Sequence, residues 1–157
     1  MLIKNVKIYI KKNKYLNSLE YKYIKSFCHQ HYKMDIEKIL KYNSSNIFLE
    51  KQNVFNELNL SKNLIQEFHK KLQYYKIIDN ISQINEGKYI RWLKINTNAL
   101  TNGALVCDVE ITDKDILINC KTIKNKFITV SYNKNILFEK INDDELLLIN
   151  VVDSFNK

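Results

Sequence analysis

Five polar side chains between residues 62 and 70 are spaced so that one face of a helix would carry them. They fall at helical intervals and comprise Lys62, Asn63, Gln66, His69 and Lys70. Lysine ammonium groups bind phosphate oxygens, and the amides of Asn and Gln complement base edges. The spacing therefore predicts a surface able to contact nucleic acid. The alternative interpretation is an ordinary solvated face in a helical scaffold.

The positive charge of the chain is concentrated in its first quarter. Residues 1–42 contain ten lysines and three carboxylates, a net charge of +7 against +8 for the whole chain. A local excess of this kind attracts phosphates through counterion release. We expect phosphate contacts from the lysines of this segment, chiefly Lys11, Lys12, Lys14, Lys22 and Lys25. The alternative is that these lysines only keep the chain soluble.

The only arginine of the chain, Arg91, lies between Tyr89 and Trp92. An exposed aromatic ring beside a guanidinium group forms a stacking and phosphate-binding surface for single strands. Arg91 therefore joins the predicted nucleic-acid contacts. For Trp92 we expect core packing, as is usual for the single tryptophan of a small domain.

Other kinds of chemistry have little support in the residue pattern. Cys28, His29 and His31 are clustered, but a structural zinc site needs four ligands with paired spacing. Asp108 and Glu110 resemble part of a nuclease site, yet no lysine follows at the usual spacing. Two glycines in the whole chain leave no phosphate-cradling loop. The pattern predicts no enzymatic activity, no metal site and no cofactor.

Cysteine usage and apolar run lengths bear on the compartment. The three cysteines have no disulfide-framework spacing, which favours a reducing intracellular environment. The start of the chain lacks the features of a signal peptide. The apolar runs are far shorter than the roughly 20 residues of a membrane span, so no membrane partner is expected.

The first half of the chain has a helical period. Leu2 to Ile10 alternate in part, which is typical of a strand or an extended arm. Helices are predicted over about residues 18–32, after Asp35, and around residues 47–58. Ser61 is well placed to cap a further helix that carries Leu64, Ile65, Phe68, Leu72 and Tyr75.

From residue 81 the period changes to that of strands. Strands are predicted near residues 88–95, 104–111, 115–121, 126–132 and 136–141. The connections are too short for crossover helices, so the strands must be antiparallel. Leu105, Cys107, Val109 and Ile111 are expected on the buried face of the second strand, and Val106, Asp108 and Glu110 on the wet face. Asn142 and Glu145 have capping-box spacing before a closing helix.

The predicted fold class is α+β. A basic helical region with helix-turn-helix character covers residues 1–80. A small five-stranded antiparallel barrel or half-barrel, SH3-like or OB-like, covers residues 81–157 together with its C-terminal helix. We place the boundary near residues 79–86.

Residues 54–78 resemble the helix-turn-helix core of winged-helix DNA-binding domains. Leu58 to Ser61 would form the turn, Ile65 and Leu72 the packing positions, and Ile77 and Ile78 the exit. Asn59 stands where that family prefers Gly, although Asn tolerates the left-handed conformation. The resemblance implies that the outward face of a DNA-contacting helix is formed by Lys62, Asn63, Gln66, His69, Lys70 and Gln73.

A second resemblance covers roughly residues 75–157. This part of the chain is similar to uncharacterised proteins of large nucleocytoplasmic DNA viruses of the mimivirus sort. The resemblance lies in the segments GKYIRWL and ALTNGALVCDVEI, Cys120 with Lys121, the segment ILFEKI and the acidic-capped last helix. The abundance of Lys, Asn, Ile and Tyr is typical of such AT-rich genomes. The resemblance implies a location in the host cytoplasm, the viral factory or the virion, and implies no activity.

Two hypotheses of different class follow. In the first, the protein is a non-catalytic nucleic-acid-associated protein that contacts phosphates through its Lys-rich helical half. In the second, it is a virion or assembly protein whose barrel and helices bind protein partners or a second copy. The first predicts binding that weakens steeply with salt. The second predicts salt-insensitive self-association.

Overall fold

A computed structural model describes residues 42–155 of the chain. The arm predicted at residues 2–10, the helix predicted at residues 18–32 and the helix predicted after Asp35 lie outside the described residues. The chain divides into two compact units. Of the described residues, one unit comprises 47–141, and the other comprises 42–46 and 142–155.

The described residues form three α-helices, one 3-10 helix and seven strands. The α-helices are α1 (Ser44–Glu57), α2 (Lys62–Lys71) and α3 (Asp143–Phe155), and the 3-10 helix is Ile81–Gln83. The strands are β1 (Tyr75–Ile78), β2 (Tyr89–Lys94), β3 (Ala99–Leu100), β4 (Ala104–Ile111), β5 (Ile116–Lys121), β6 (Phe127–Ser131) and β7 (Asn135–Lys140).

The turn between α1 and α2 forms as its residue types suggest. Asn59 has a φ of 52°, in the left-handed region that Asn tolerates better than most residues. The side chain of Leu60 is buried beside it. Ser61 is extended, and its hydroxyl oxygen accepts a hydrogen bond from the backbone N–H of Leu64. The predicted cap of α2 is thus confirmed. The predicted extension of this helix to Tyr75 is wrong, because the helix ends at Lys71 and Tyr75 begins β1.

The seven strands form one antiparallel sheet in the order β1-β7-β2-β4-β5-β6, with β3 paired to β2. All five predicted strands are present, but the predicted five-stranded barrel is wrong, because the sheet has seven strands and does not close. The outer side of β7 is taken by β1, through pairs such as Tyr75 with Lys140. Because β1 and β6 are the two ends of this order, they do not pair and the sheet stays open. β1 belongs to this sheet although it precedes residues 79–86, where the boundary between the two domains is predicted. The domain boundary stays a prediction.

Each face of the sheet covers its own apolar cluster. The inner cluster takes side chains from six strands and includes Ile90, Trp92, Val106, Ile118, Val130 and Leu137. The helix-facing cluster joins α1 and α2 to the opposite face of β2 and β7, and includes Phe55, Phe68, Leu72, Leu93 and Phe138. The rings of Phe55 and Phe68 meet edge to face, with centroids 5.8 Å apart. Residues of β2 therefore pack alternately in the two clusters, with Ile90 and Trp92 in the inner cluster and Leu93 in the helix-facing cluster.

A β-bulge in β4 overturns part of the predicted assignment of its two faces. Val106 pairs with Cys120 and Asp108 with Asn119, so Cys107 is the extra residue. Before the bulge, Val106 is buried, while Leu105 is 40% exposed. After the bulge, Val109 packs against the inner cluster. The predicted faces are therefore wrong for Leu105 and Val106, because one inserted residue exchanges the faces on its two sides, and they hold for Asp108, Val109 and Glu110. Ile111, also predicted to be buried, is 75% exposed.

The second unit contains α3 together with residues 42–46, which include the first three residues of α1. Its capping box is confirmed, since Asn142 accepts a hydrogen bond of 2.8 Å from the N–H of Glu145 and the Glu145 carboxylate accepts one of 3.1 Å in return. The N–H of Ser44 donates to Asp153 at 3.0 Å. Among the helices described, none has both the length and the apolar character needed to cross a bilayer.

Gly103 is required by the close approach of the β3–β4 connection to β2. Its φ is +91°, and a Cβ placed there would lie 2.5 Å from the carbonyl oxygen of Ile90 and 2.8 Å from the Cγ of Arg91. We predict that Gly103→Ala lowers the free energy of unfolding by about 2–4 kcal/mol, because strain and a backbone clash add.

The matched control is Gly87→Ala. Gly87 also has a positive φ, +78°, but a Cβ added at this position would have no neighbouring atom within 4 Å. Only strain remains, so we expect a loss of about 1 kcal/mol. Urea unfolding followed by Trp92 fluorescence measures both variants. Equal losses would contradict the proposed clash.

Candidate nucleic-acid interface

The outward face of α2 carries four of the predicted contact residues. Lys62, Asn63, Gln66 and Lys70 are all exposed. The opposite side of the helix is held in the helix-facing cluster by Phe68 and Leu64, among others. The amphipathic pattern thus directs lysines and amides to solvent while the apolar residues fix the helix against the sheet.

Two of these cations remain uncompensated by acidic side chains. The carboxylate of Glu67 is paired with Lys71, four residues later on the same helix. Among the residues that the structure describes, neither Lys62 nor Lys70 forms an ion pair. Both ammonium groups are therefore available to an anionic partner. Glu67 is partly neutralised by its own helix, which reduces its repulsion of phosphates.

His69, predicted to face outward with these residues, lies in the packing between α1 and α2. Its ring stacks on Phe48, with centroids 4.0 Å apart, and meets Phe55 edge to face. Its Nε2 donates a hydrogen bond of 2.9 Å to the Gln52 side-chain oxygen. Burial, and then the positive charge of Lys51, lower the pKa of His69 below its ordinary value. A neutral, stacked imidazole is a poor phosphate ligand.

A buried lysine, Lys51, fixes the C-terminal end of α2. Its Nζ donates hydrogen bonds of 2.7 Å to the carbonyl oxygen of Leu72 and 2.9 Å to that of Tyr75. Burial lowers the pKa of Lys51 from 10.5 to about 8, and Glu50 acts in the opposite direction. The Leu72 carbonyl at the helix end, which also accepts from the N–H of Tyr75, and the Tyr75 carbonyl in β1 thus gain a buried donor. A signal was present in the sequence, because Lys51 lies four residues from both Ile47 and Phe55 on one buried stripe.

Arg91 anchors the same helix end from the sheet. Its Nη1 donates to the carbonyl oxygen of Lys71 at 2.8 Å, and its Nε donates to that of Thr101 at 2.8 Å. Its guanidinium carbon lies 5.7 Å from the centre of the Tyr75 ring. Much of its hydrogen-bonding capacity is therefore used within the protein. Trp92 is buried in the inner cluster, which confirms the predicted core packing.

The remaining sequence-based candidates are not in the described part of the chain. This applies to Lys11, Lys12, Lys14, Lys22 and Lys25, and to the cluster of Cys28, His29 and His31. Within residues 42–155, no three His, Cys, Asp or Glu side chains converge as metal ligands would. Cys120 is buried, and burial raises the pKa of its thiol to about 12, so its sulfur is protonated at neutral pH.

Comparison of the whole chain with known proteins finds nothing similar. No protein family, curated protein or solved structure matches it. The helix-turn-helix resemblance and the viral resemblance therefore stay predictions.

The buried ammonium of Lys51 should make stability depend on pH. Its pKa is about 8 in the folded protein and near 10.5 when exposed, so between these values the unfolded chain binds more protons. Stability contributed at this position must then rise with pH. We predict that the unfolding free energy of the natural protein rises relative to that of Lys51→Met by about 1–2 kcal/mol between about pH 7.5 and about pH 9.5.

Urea unfolding at both pH values measures this difference. Using Met as the reference removes the titration of Lys51 while keeping a long apolar stem, and other groups titrate in both proteins and cancel. A difference that stays constant with pH would show that the amine is not desolvated in the folded state.

Proposed function

We propose that this protein is a non-catalytic nucleic-acid-binding protein that contacts phosphates through its Lys-rich helical half. The observation that carries the proposal is the pair of unpaired lysines on the exposed face of α2. Lys62 and Lys70 are eight residues apart, about 12 Å along the helix axis at 1.5 Å per residue. The amides of Asn63 and Gln66 lie on the same exposed face between them.

The support of α2 favours this function as well. A helix that contacts a groove must be held rigidly, so that its side chains reach phosphates and base edges at fixed positions. Here the capping hydroxyl of Ser61 fixes the first turn, and Lys51 and Arg91 hold the last turn from two different elements. The outward side chains therefore project from a frame that is fixed at both ends.

The uneven charge of the chain adds to the proposal. In the sequence, residues 1–42 carry a net charge of +7, while the remaining 115 residues of the 157 carry only +1. Phosphate contacts from this segment would add affinity without sequence preference. For localisation we propose the host cytoplasm or viral factory that the viral resemblance implies.

The second candidate function, a virion or assembly protein, is favoured by a different observation. Within residues 42–155, β1 and β6 are the end strands of the sheet order and pair with a strand on one side only. Phe127, at the start of β6, is 72% exposed. Exposed strand edges next to apolar side chains are common sites of protein association. In this function the lysines of α2 would only solubilise the surface.

Removing the positive charges of Lys62 and Lys70 on α2 distinguishes the two functions. We predict that Lys62→Gln with Lys70→Gln weakens binding of a short DNA duplex about 3- to 30-fold at low salt. The slope of log affinity against log salt should fall by up to about 1.8, since each lost phosphate contact removes about 0.9. Fluorescence anisotropy at several salt concentrations measures both quantities.

The matched control changes the same charge elsewhere in the chain. Lys114 and Lys134 are exposed lysines in strand connections, and Lys114→Gln with Lys134→Gln should leave the slope within about 0.5 of the natural protein. An equal effect of both double variants would show that only net charge matters. Absence of binding at low salt, with salt-insensitive self-association in sedimentation, would support the assembly function instead.

A further inference from the structure

A row of outward side chains crosses the half of the sheet that lies beyond the helix-facing cluster. The pairing register places Leu105 of β4 beside Lys121 of β5, and Lys121 beside Phe127 of β6. All three point away from the inner cluster, whose members in these strands are the alternate residues. With strands about 4.8 Å apart, the row spans roughly 10 Å. We call this surface the hairpin face.

The hairpin face combines an open aromatic ring with unpaired positive charge. Phe127 is 72% exposed, and the Lys121 Nζ lies 5.7 Å from the centre of its ring. The β5–β6 connection adds Ile123, 83% exposed, and the exposed Lys124 and Lys126. From residue 116 to residue 131 the sequence has three lysines and no carboxylate. Among the described residues, none of these lysines forms an ion pair.

Polar side chains continue the same surface in the next row along the strands. Asn119 lies beside Asp108 on one side and Thr129 on the other. The Thr129 hydroxyl donates to the Asn119 side-chain oxygen at 2.8 Å, which leaves the amide N–H groups of Asn119 as donors. Asp108 is exposed there and adds an acceptor. A base stacked on Phe127 would thus find donors and acceptors beside it.

This composition distinguishes among possible occupants. An anionic bilayer would favour a broad apolar patch, yet the row beside Phe127 is made of amide, hydroxyl and carboxylate groups. A protein strand added to the β6 edge would be recognised by backbone groups and would not require a lysine over the Phe127 ring. A flexible chain that alternates flat bases with phosphates matches both the ring and the lysines.

We propose that the hairpin face binds single-stranded nucleic acid, with a base stacked on Phe127 and backbone phosphates on Lys121, Lys124 and Lys126. The proposal rests on the proposed function for its class of partner and adds a second contact surface with a preference for single strands. A duplex keeps its bases stacked inside and cannot use the ring in this way.

The test uses the full chain with two fluorescent probes, a short oligothymidine and a duplex of equal charge. Phe127→Ala should weaken binding of the single strand about 5- to 100-fold, since one stacked base contributes that factor, and should change duplex binding less than about twofold. Phe127→Trp should retain single-strand binding. Lys121→Gln should reduce the slope of log affinity against log salt for the single strand by about 0.7.

Ile111→Ala is the matched control, because Ile111 is 75% exposed at the far end of β4. We expect no change in either probe. Because Phe127 is exposed, its replacement should not impair folding, and urea unfolding checks this directly.

The outcomes separate the two proposals. Absence of binding to either probe at low salt would overturn the proposed function. Binding of both probes that Phe127→Ala leaves unchanged, or weakens equally, would overturn only the hairpin-face proposal. Binding to vesicles that contain anionic lipid, lost in Phe127→Ala while oligonucleotide binding persists, would assign the face to a membrane instead.

Discussion

The buried amine of Lys51 is the constraint on which the arrangement of the helices and the sheet depends. It lies where the chain leaves α2 and enters β1, and it donates to backbone carbonyls of both Leu72 and Tyr75. Carbonyl groups at this point would otherwise be buried with fewer partners, which is costly in an apolar environment. Burial also lowers the pKa of the amine to about 8, so removing the proton costs little. A neutral amine can still donate to both carbonyls.

The same junction links the stability of the fold to the orientation of α2. Arg91 reaches the carbonyl oxygen of Lys71 from β2, one residue before the Leu72 carbonyl that Lys51 holds. In the helix-facing cluster, the rings of Phe55 and Phe138 join α1 to β7, with centroids 6.2 Å apart. The last turn of α2 is therefore tied to α1, β1 and β2 at once. Movement of its exposed face would break buried hydrogen bonds, and this favours a pre-organised surface.

The features predictable from the sequence are those with a local cause. The cap at Ser61 and the capping box from Asn142 to Glu145 depend on residues three apart, and both are present. The five longer strands have an alternation of their own. By contrast, β1 has four residues and exists through its pairing with β7, and β3 has two. Nothing within so short a segment distinguishes a strand from the end of a helix.

The side chains whose positions were predicted wrongly in the candidate sites are also placed by contacts with other elements. Strict alternation predicts Leu105 on the buried face, and a single bulge at Cys107 reverses it. His69 shares the helical spacing of Lys62 and Gln66, yet stacking on Phe48 draws it into the helix packing. Spacing identifies a face, but the neighbouring element decides which members of that face stay in solvent. The hairpin face is not predictable from spacing for this reason, since it is assembled by the register of three strands.

The lysines on the two faces of the sheet differ in their ion pairing. Lys76 and Lys88 approach the buried carboxylate of Glu139, at 3.8 and 3.2 Å, so the cations at that end of the inner face are compensated. Arg91 and the row that ends at Phe127 lie on the opposite face, the one that α1 and α2 partly cover. Three strand spacings, about 14 Å, separate β2 from β6. α2 and the hairpin face therefore lie on the same side of the sheet, so the two proposals place their contacts on one side of the protein.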